Sequence, residues 1–199
     1  MEAWFDLAKN NQIPIRVFLS IFYRVFEAGK SSFPTPNQRC NLLVADRIKL
    51  FCDGALGART AALTINYKGH NHNGLALQTV ESMTEKFNRL YDAGWRSEIH
   101  VIGDRAVDIA LEALELSKGT KEEKRSYRHV LNHSQMIRSD HLPLIKDLGW
   151  SCSIQPQFVE SDAPWCRESV PDILHHSLYP WKTLLNNNSY ENTPQMTER

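Results

Sequence analysis

Apolar residues recur along this chain in two alternating periods. Near the start, Trp4, Phe5, Leu7 and Ala8 share one face of a helix that Asn10 and Asn11 close. IPIRVFLSIFY (13–23) is β-branched and aromatic and reads as a buried strand, whereas VFEAGKSSFPTPNQRCN reads as a loop. ADRIKLFCDG (45–54) alternates about Ile48, Leu50 and Cys52, a second strand stopped by Asp-Gly. A polar segment punctuated by Gly and Asn follows. Val80, Met83, Phe87, Leu90 and Tyr91 then recur at helical spacing between Leu77 and Ala93, with Gly94 in the favoured terminating position. SEIHVI (97–102) reads as a strand, RAVDIALEALEL as a helix, SYRHVLNH (126–133) as a strand, SDHLPLIKDLG as a short helix and WSCSIQP (150–156) as a last strand.

Strands and helices in that order, with short connections and strands apolar enough to be covered on both faces, predict an α/β fold with a parallel sheet and helices outside. Periodicity leaves open whether the sheet is doubly wound or part of a (β/α)8 barrel. Residues 1–185 form the folded unit, and the polar stretch 186–199, NNNSYENTPQMTER, predicts a frayed tail.

Composition narrows the partners. Lys plus Arg and Asp plus Glu both number 23, and no basic stripe points to nucleic acid. No apolar run approaches the roughly 20 residues of a membrane span, and the start lacks a signal-peptide pattern. These features predict a cytoplasmic protein. Cys40, Cys52, Cys152 and Cys166 contain no C-x-x-C and read as mostly buried thiols.

In either parallel architecture, side chains just past the carboxyl ends of strands build the site. The expected positions are Lys49, Asp53 and Arg59 from the 45–54 strand, His100 and Asp104 from the next, then His129 and His133, then Gln155 and Gln157. Histidines at the ends of successive strands are what a metal held between neighbouring strands requires, because neutral imidazole is a good zinc ligand. The plainer readings are hydrogen-bonded strand-end histidines, a dipole-favouring Asp104 and a simple turn at Asp53. His70 and His72, an H-x-H in a Gly/Asn-rich loop, read as solvated.

KLFCDGALGARTAAL, Tyr67, IHVIGDRAVDIALEALE, RHVLNHSQ and SIQPQFVESDAPW followed by YPWKTLL together resemble the amidohydrolase 3 group of the amidohydrolase superfamily, which includes N-substituted formamide deformylases. The likeness runs from about residue 10 to 185. It implies a (β/α)8 barrel, here roughly strands three to seven, with one or two divalent metal ions, most readily zinc, at its carboxyl-terminal mouth. It also implies hydrolysis of amide-like, non-peptide C–N bonds in small molecules. By that resemblance His100 is the fifth-strand ligand and His133 the sixth-strand ligand. Lys49 is the candidate for a carboxylated lysine, and Asp53, Arg59, Asp104 and Gln155 are candidates for substrate binding.

Other family features are absent from the sequence. The first-strand H-x-H, the eighth-strand aspartate and the flanking β domain have no counterpart, and Asn132 stands where the family commonly has Glu. The expectation is therefore a partial barrel with two unpaired edges, prone to self-association and with little or no hydrolase activity on its own. Trp165 and Tyr179 are candidate pocket walls, in the 160–180 segment that with Thr64–Gly74 shapes any pocket.

Overall fold

The computed structural model describes residues 2–29 and 33–186, so most of the expected polar tail lies outside the described residues. A six-stranded sheet runs in the order β1 (Val17–Phe22), β3 (Leu43–Phe51), β4 (Arg96–Val101), β5 (Val130–His133), β6 (Ser151–Ser153), all neighbours parallel, and β2 (Arg39–Cys40) pairs antiparallel with β3. The helices are α1 (Glu2–Lys9), α2 (Tyr23–Glu27), α3 (Val80–Asp92), α4 (Asp104–Leu116), α5 (Lys121–Tyr127), α6 (His141–Asp147), α7 (Phe158–Asp162), α8 (Cys166–Ser169) and α9 (Trp181–Asn186), with a 3-10 turn over Asp172–Ser177. Among the described residues no helix is long and apolar enough to cross a membrane.

The expected strands are present with their ends shifted. The first gives way to α2 at Tyr23, its last expected residue, and the helix runs on into the expected loop, because Tyr23 packs inward while Glu27 pairs with Arg89 of α3 at 2.6 Å. The strand expected from Ser126 begins only at Val130. Before it, Thr120 caps α5 through a reciprocal pair of bonds with Glu123, and Arg128, at a left-handed φ of 51°, ends that helix.

The pleat separates two faces. Ile48 and Leu50 of β3, Cys52 just past its end, and Ile99 and Val101 of β4 point to one side. There they share a core with Met83, Phe87 and Leu90 of α3, Ala106 to Leu114 of α4 and Ile145 of α6. Arg47 and Lys49 of β3, and Arg96, Glu98 and His100 of β4, are half-buried on the other side. An irregularity after Leu19 leaves Asp46 as an extra residue in β3, where it takes a bidentate pair of bonds from Arg96, Nε to Oδ1 at 3.1 Å and Nη2 to Oδ2 at 2.5 Å.

A second core, made by Leu56, Ala61, Leu63, Tyr67, Ile102, Met136, Cys166, Val170 and Leu174, joins the 55–74 loop to the 160–180 segment over the strand ends. Trp165 and Tyr179 pack against it, and the Tyr179 hydroxyl donates to Asp162. Three of the four thiols are buried and none is in a disulfide; burial pushes Cys52 up to about 12 and Cys152 up to about 11, so neither is a nucleophile at neutral pH. Gly103 lets the loop approach β4: a Cβ there would lie 2.0 Å from the Ala62 carbonyl oxygen. Gly103→Ala should therefore cost about 1–3 kcal/mol through forced backbone movement, read as a lowered urea midpoint at unchanged slope.

His129 precedes β5 with its ring in the helical core, stacked on Tyr127 and edge-on to Phe87, and so faces away from the strand-end site. Its Nδ1 accepts from the Ser97 backbone N–H at 3.0 Å, which requires the neutral ring, and burial, with Arg96 adding to it, pushes its pKa down to about 3. The unfolded chain binds a proton near pH 6.5 that the folded chain rejects down to about 3. Between those values His129 makes the fold less stable as pH falls, by about 1.4 kcal/mol per pH unit. Asp53, raised by burial, acts in the opposite sense in part of that window. The measurement is therefore the difference in pH slope between wild type and His129→Gln, which should lose one proton's worth of dependence between pH 6 and 4.

Candidate metal centre

β4 and β5 end side by side, with His100 in register with Asn132 and Val101 with His133. By the pleat alone His133 would point away from His100. A left-handed φ of 77° at His133, followed by 47° at Ser134, turns its ring back, and the two imidazoles meet edge to face with centroids 4.6 Å apart. The Ser134 N–H donates to the Val101 carbonyl at 3.1 Å and the Ser134 hydroxyl to the Leu131 carbonyl at 3.1 Å, which fixes the turn. Strain of this kind is held where the surroundings over-determine it.

Each ring has a nitrogen committed to an acceptor or an amide. His100 Nε2 lies 2.8 Å from the Gly54 carbonyl oxygen, so Nε2 carries the proton and Nδ1 keeps its lone pair. His133 Nδ1 lies 2.8 Å from Gln155 Oε1, and its Nε2 lies 3.3 Å from the Asn132 amide. Burial lowers both pKa values; for His100 the neighbouring His133 and Lys49 add to the shift, and for His133 Lys49 does. Both rings are therefore neutral at pH 7, the form that binds metal. A carbonyl or carboxamide orienting the second nitrogen is the usual support of a metal-bound histidine, so this pair fits a divalent ion. Among the described residues, no group of three or more His, Cys, Asp or Glu converges as a full ligand set.

Lys49 stands on the same face, with Nζ 2.9 Å from Glu98 Oε1 and over the Phe51 ring. Glu98 also accepts from the Ser20 hydroxyl at 2.7 Å. Burial would push its carboxyl up, but Ser20, Lys49 and Arg47 outweigh that and hold it below the usual range. Glu98 and Ser20 are absent from the sequence-level selection, which took residues past the strand ends. The alternation of Arg96, Glu98 and His100 within β4 is the signal that finds Glu98.

The other candidates separate. Gln155 joins the histidines. Asp53 is buried and accepts from the backbone N–H groups of Gly103 (2.7 Å), Ala62 (3.0 Å) and Ile102 (3.1 Å), with His100 Nε2 at 3.5 Å. Burial raises it to about 7 against the pull of those three donors. Asp104, fully buried, takes Thr64 through its N–H and hydroxyl and Arg138 at 3.0 Å. Arg59 is exposed in the 55–60 turn at a φ of 54°. His70 and His72 are exposed, as expected of a solvated loop.

Comparison with known proteins identifies the family and the fold. The chain is 30% identical over 141 residues to a Bacillus subtilis (strain 168) protein named "Putative amidohydrolase YtcJ", covering 69% of this chain and 26% of that one. It is 26% identical over 144 residues to Protein LONG AFTER FAR-RED 3 of Arabidopsis thaliana, covering 71% and 24%. Two crystal structures of uncharacterized metal-dependent hydrolases superpose on 93% of the chain. The one from Pyrococcus horikoshii OT3 has a TM-score of 0.81 and 29% identity, and the one from Pyrococcus furiosus 0.76 and 30%. The chain spans about a quarter of the named relatives and 36% and 38% of the two solved chains. Its parallel sheet and flanking helices thus form part of a barrel-like α/β fold. The profile of the amidohydrolase family matches residues 1–189, and the chain belongs to that family.

Proposed function

We propose that this chain contributes part of a metal-dependent hydrolase centre that acts on amide-like, non-peptide C–N bonds of small molecules. One observation carries the reading: two neutral imidazoles meet across adjacent strand ends, each with one nitrogen held by an oxygen acceptor. A divalent ion bound there, zinc by the preference of imidazole nitrogen, would supply Lewis-acid activation of water and carbonyl. The family match and the two hydrolase neighbours support the same reading.

In this proposal His100 presents Nδ1 and His133 presents Nε2, while the Gly54 carbonyl and Gln155 fix the tautomers. Lys49 is paired with Glu98, and to become a carbamate ligand it would have to leave that pair as a neutral amine. Arg59 is the exposed cation we assign to substrate, and Asp53 and Asp104 act by anchoring the loop that carries it. We place the protein in the cytoplasm, where its unpaired thiols stay reduced. The outer edges of β1 and β6 favour pairing with a second sheet. A second reading, a chain that binds metal without turnover, is favoured by the lack of a third converging His, Cys, Asp or Glu among the described residues.

The test is zinc uptake by the purified 199-residue chain. Wild type should take up zinc, and the His100→Ala, His133→Ala double variant should bind it at least tenfold more weakly. Uptake by the double variant equal to wild type, or no uptake by wild type, overturns the proposal. Hydrolysis of N-substituted amides by zinc-loaded wild type separates the first reading from the second.

A further inference from the structure

His133 is engaged at both ring nitrogens before any metal arrives. Gln155 Oε1 lies 2.8 Å from Nδ1, the Asn132 amide nitrogen lies 3.3 Å from Nε2, and Gln155 Nε2 lies 3.2 Å from Asn132 Oδ1. The three side chains form a closed ring of hydrogen bonds. Reversing both carboxamides together reverses each bond and keeps both nitrogens occupied, so the engagement does not depend on how the amides are oriented. The two carboxamides are not equivalent. Gln155 makes the short contact on the nitrogen that orients the ring. Asn132 makes a long one on the nitrogen whose lone pair a ligand needs. The backbone places Asn132 to do this, because it is the register partner of His100 and shares its face, and the left-handed turn at His133 swings the imidazole back toward that face.

We propose that Asn132 is a latch on the metal centre: its carboxamide caps His133 Nε2 and must rotate away before that nitrogen can ligate, so it sets the affinity of the site for a divalent ion. Gln155 is the opposing positioning residue, which holds His133 in the ligating orientation. The inference rests on the metal reading above and deepens it. Release of the latch gives up the two long, half-buried hydrogen bonds of the Asn132 carboxamide, at 3.3 and 3.2 Å, so that one metal–nitrogen bond can form, and its effect is the modest equilibrium factor of net hydrogen bonds.

Two measurements on the full chain test the latch. In metal-free protein, diethyl pyrocarbonate acylates an unprotonated, unengaged imidazole nitrogen, and peptide mapping gives the rate at His133. Zinc affinity is read by competition with a chromogenic chelator. Asn132→Ala should raise His133 labelling and tighten zinc about three- to tenfold, and Asn132→Ser, too short to reach Nε2, should move both in the same direction. Gln155→Ala should weaken zinc about tenfold or more. Opposite signs at the two carboxamides are the signature, because simple loosening of the strand ends would weaken zinc in every variant. The latch is overturned by unchanged labelling in both Asn132 variants. It is also overturned by zinc affinity that is equal to or weaker than wild type in those variants while wild type still binds. Failure of every protein to take up zinc overturns the metal reading and the latch with it.

Discussion

A buried carboxylate holds the working end of this molecule together. Asp53 leaves the end of β3 and accepts backbone N–H groups from Ala62 in the loop and from Ile102 and Gly103 beyond β4. Two separate segments, the loop at Ala62 and the turn at Ile102 and Gly103, are thereby fixed to one side chain. An uncompensated buried carboxylate is costly, and the pKa rise to about 7 records that cost, while the three donors offset part of it. The position of Gly54 follows directly, and with it the carbonyl that receives His100 Nε2. Gly103 is the complementary condition, since only a residue without a side chain allows Ala62 so close. The tautomer of His100 is in this sense a consequence of how the loop is anchored.

The inner face of the sheet obeys a second constraint. Its half-buried charges are paired with one another: Asp46 with Arg96 and Arg47, Glu98 with Lys49 and Ser20. Next to them Phe18 and Phe22 of β1 and Phe51 of β3 remain exposed, with Phe22 stacked on Phe51. A solvent-facing sheet would carry polar residues in place of the phenylalanines, and a closed core would exclude the ion pairs. The mixture is that of a face lining the inside of a barrel, where polar groups gather toward the strand ends.

Much of this was legible in the sequence, and the failures have physical causes. Alternation about Ile48, Leu50 and Cys52 marked β3 because those residues contact helices, and the 3.6-residue period from Val80 to Tyr91 marked α3 for the same reason. Helix α5 was missed because KEEKRSY has no apolar stripe; Thr120 and Glu123 carried its start signal, but Tyr127 to Val130 resembled strand residues more strongly. The strand-end positions of His100 and His133 are legible in the sequence. Glu98 is missed, since a rule that looks past the ends of strands ignores their inward-facing positions. The contact between His133 and His100 was not legible at all. Strict alternation puts the two on opposite faces, and only a left-handed backbone at a non-glycine residue, which no propensity predicts, brings them together.

That backbone turn is why the histidine pair is held in place although the described residues supply few candidate ligands. A left-handed histidine followed by a left-handed serine costs on the order of 1–3 kcal/mol at each position. It persists because Ser134 is bonded at both its N–H and its hydroxyl and because Gln155 holds the His133 ring. The cost is thus met in folding, by contacts that stand whether or not an ion is present. His100 and His133, neutral and facing each other, would have little conformational entropy left to lose on holding a divalent ion. Under the proposed latch, only the Asn132 carboxamide would have to move off one nitrogen for that pair to ligate. A site can be short of ligands and still be positioned for binding, because the geometry of the pair is set by the fold.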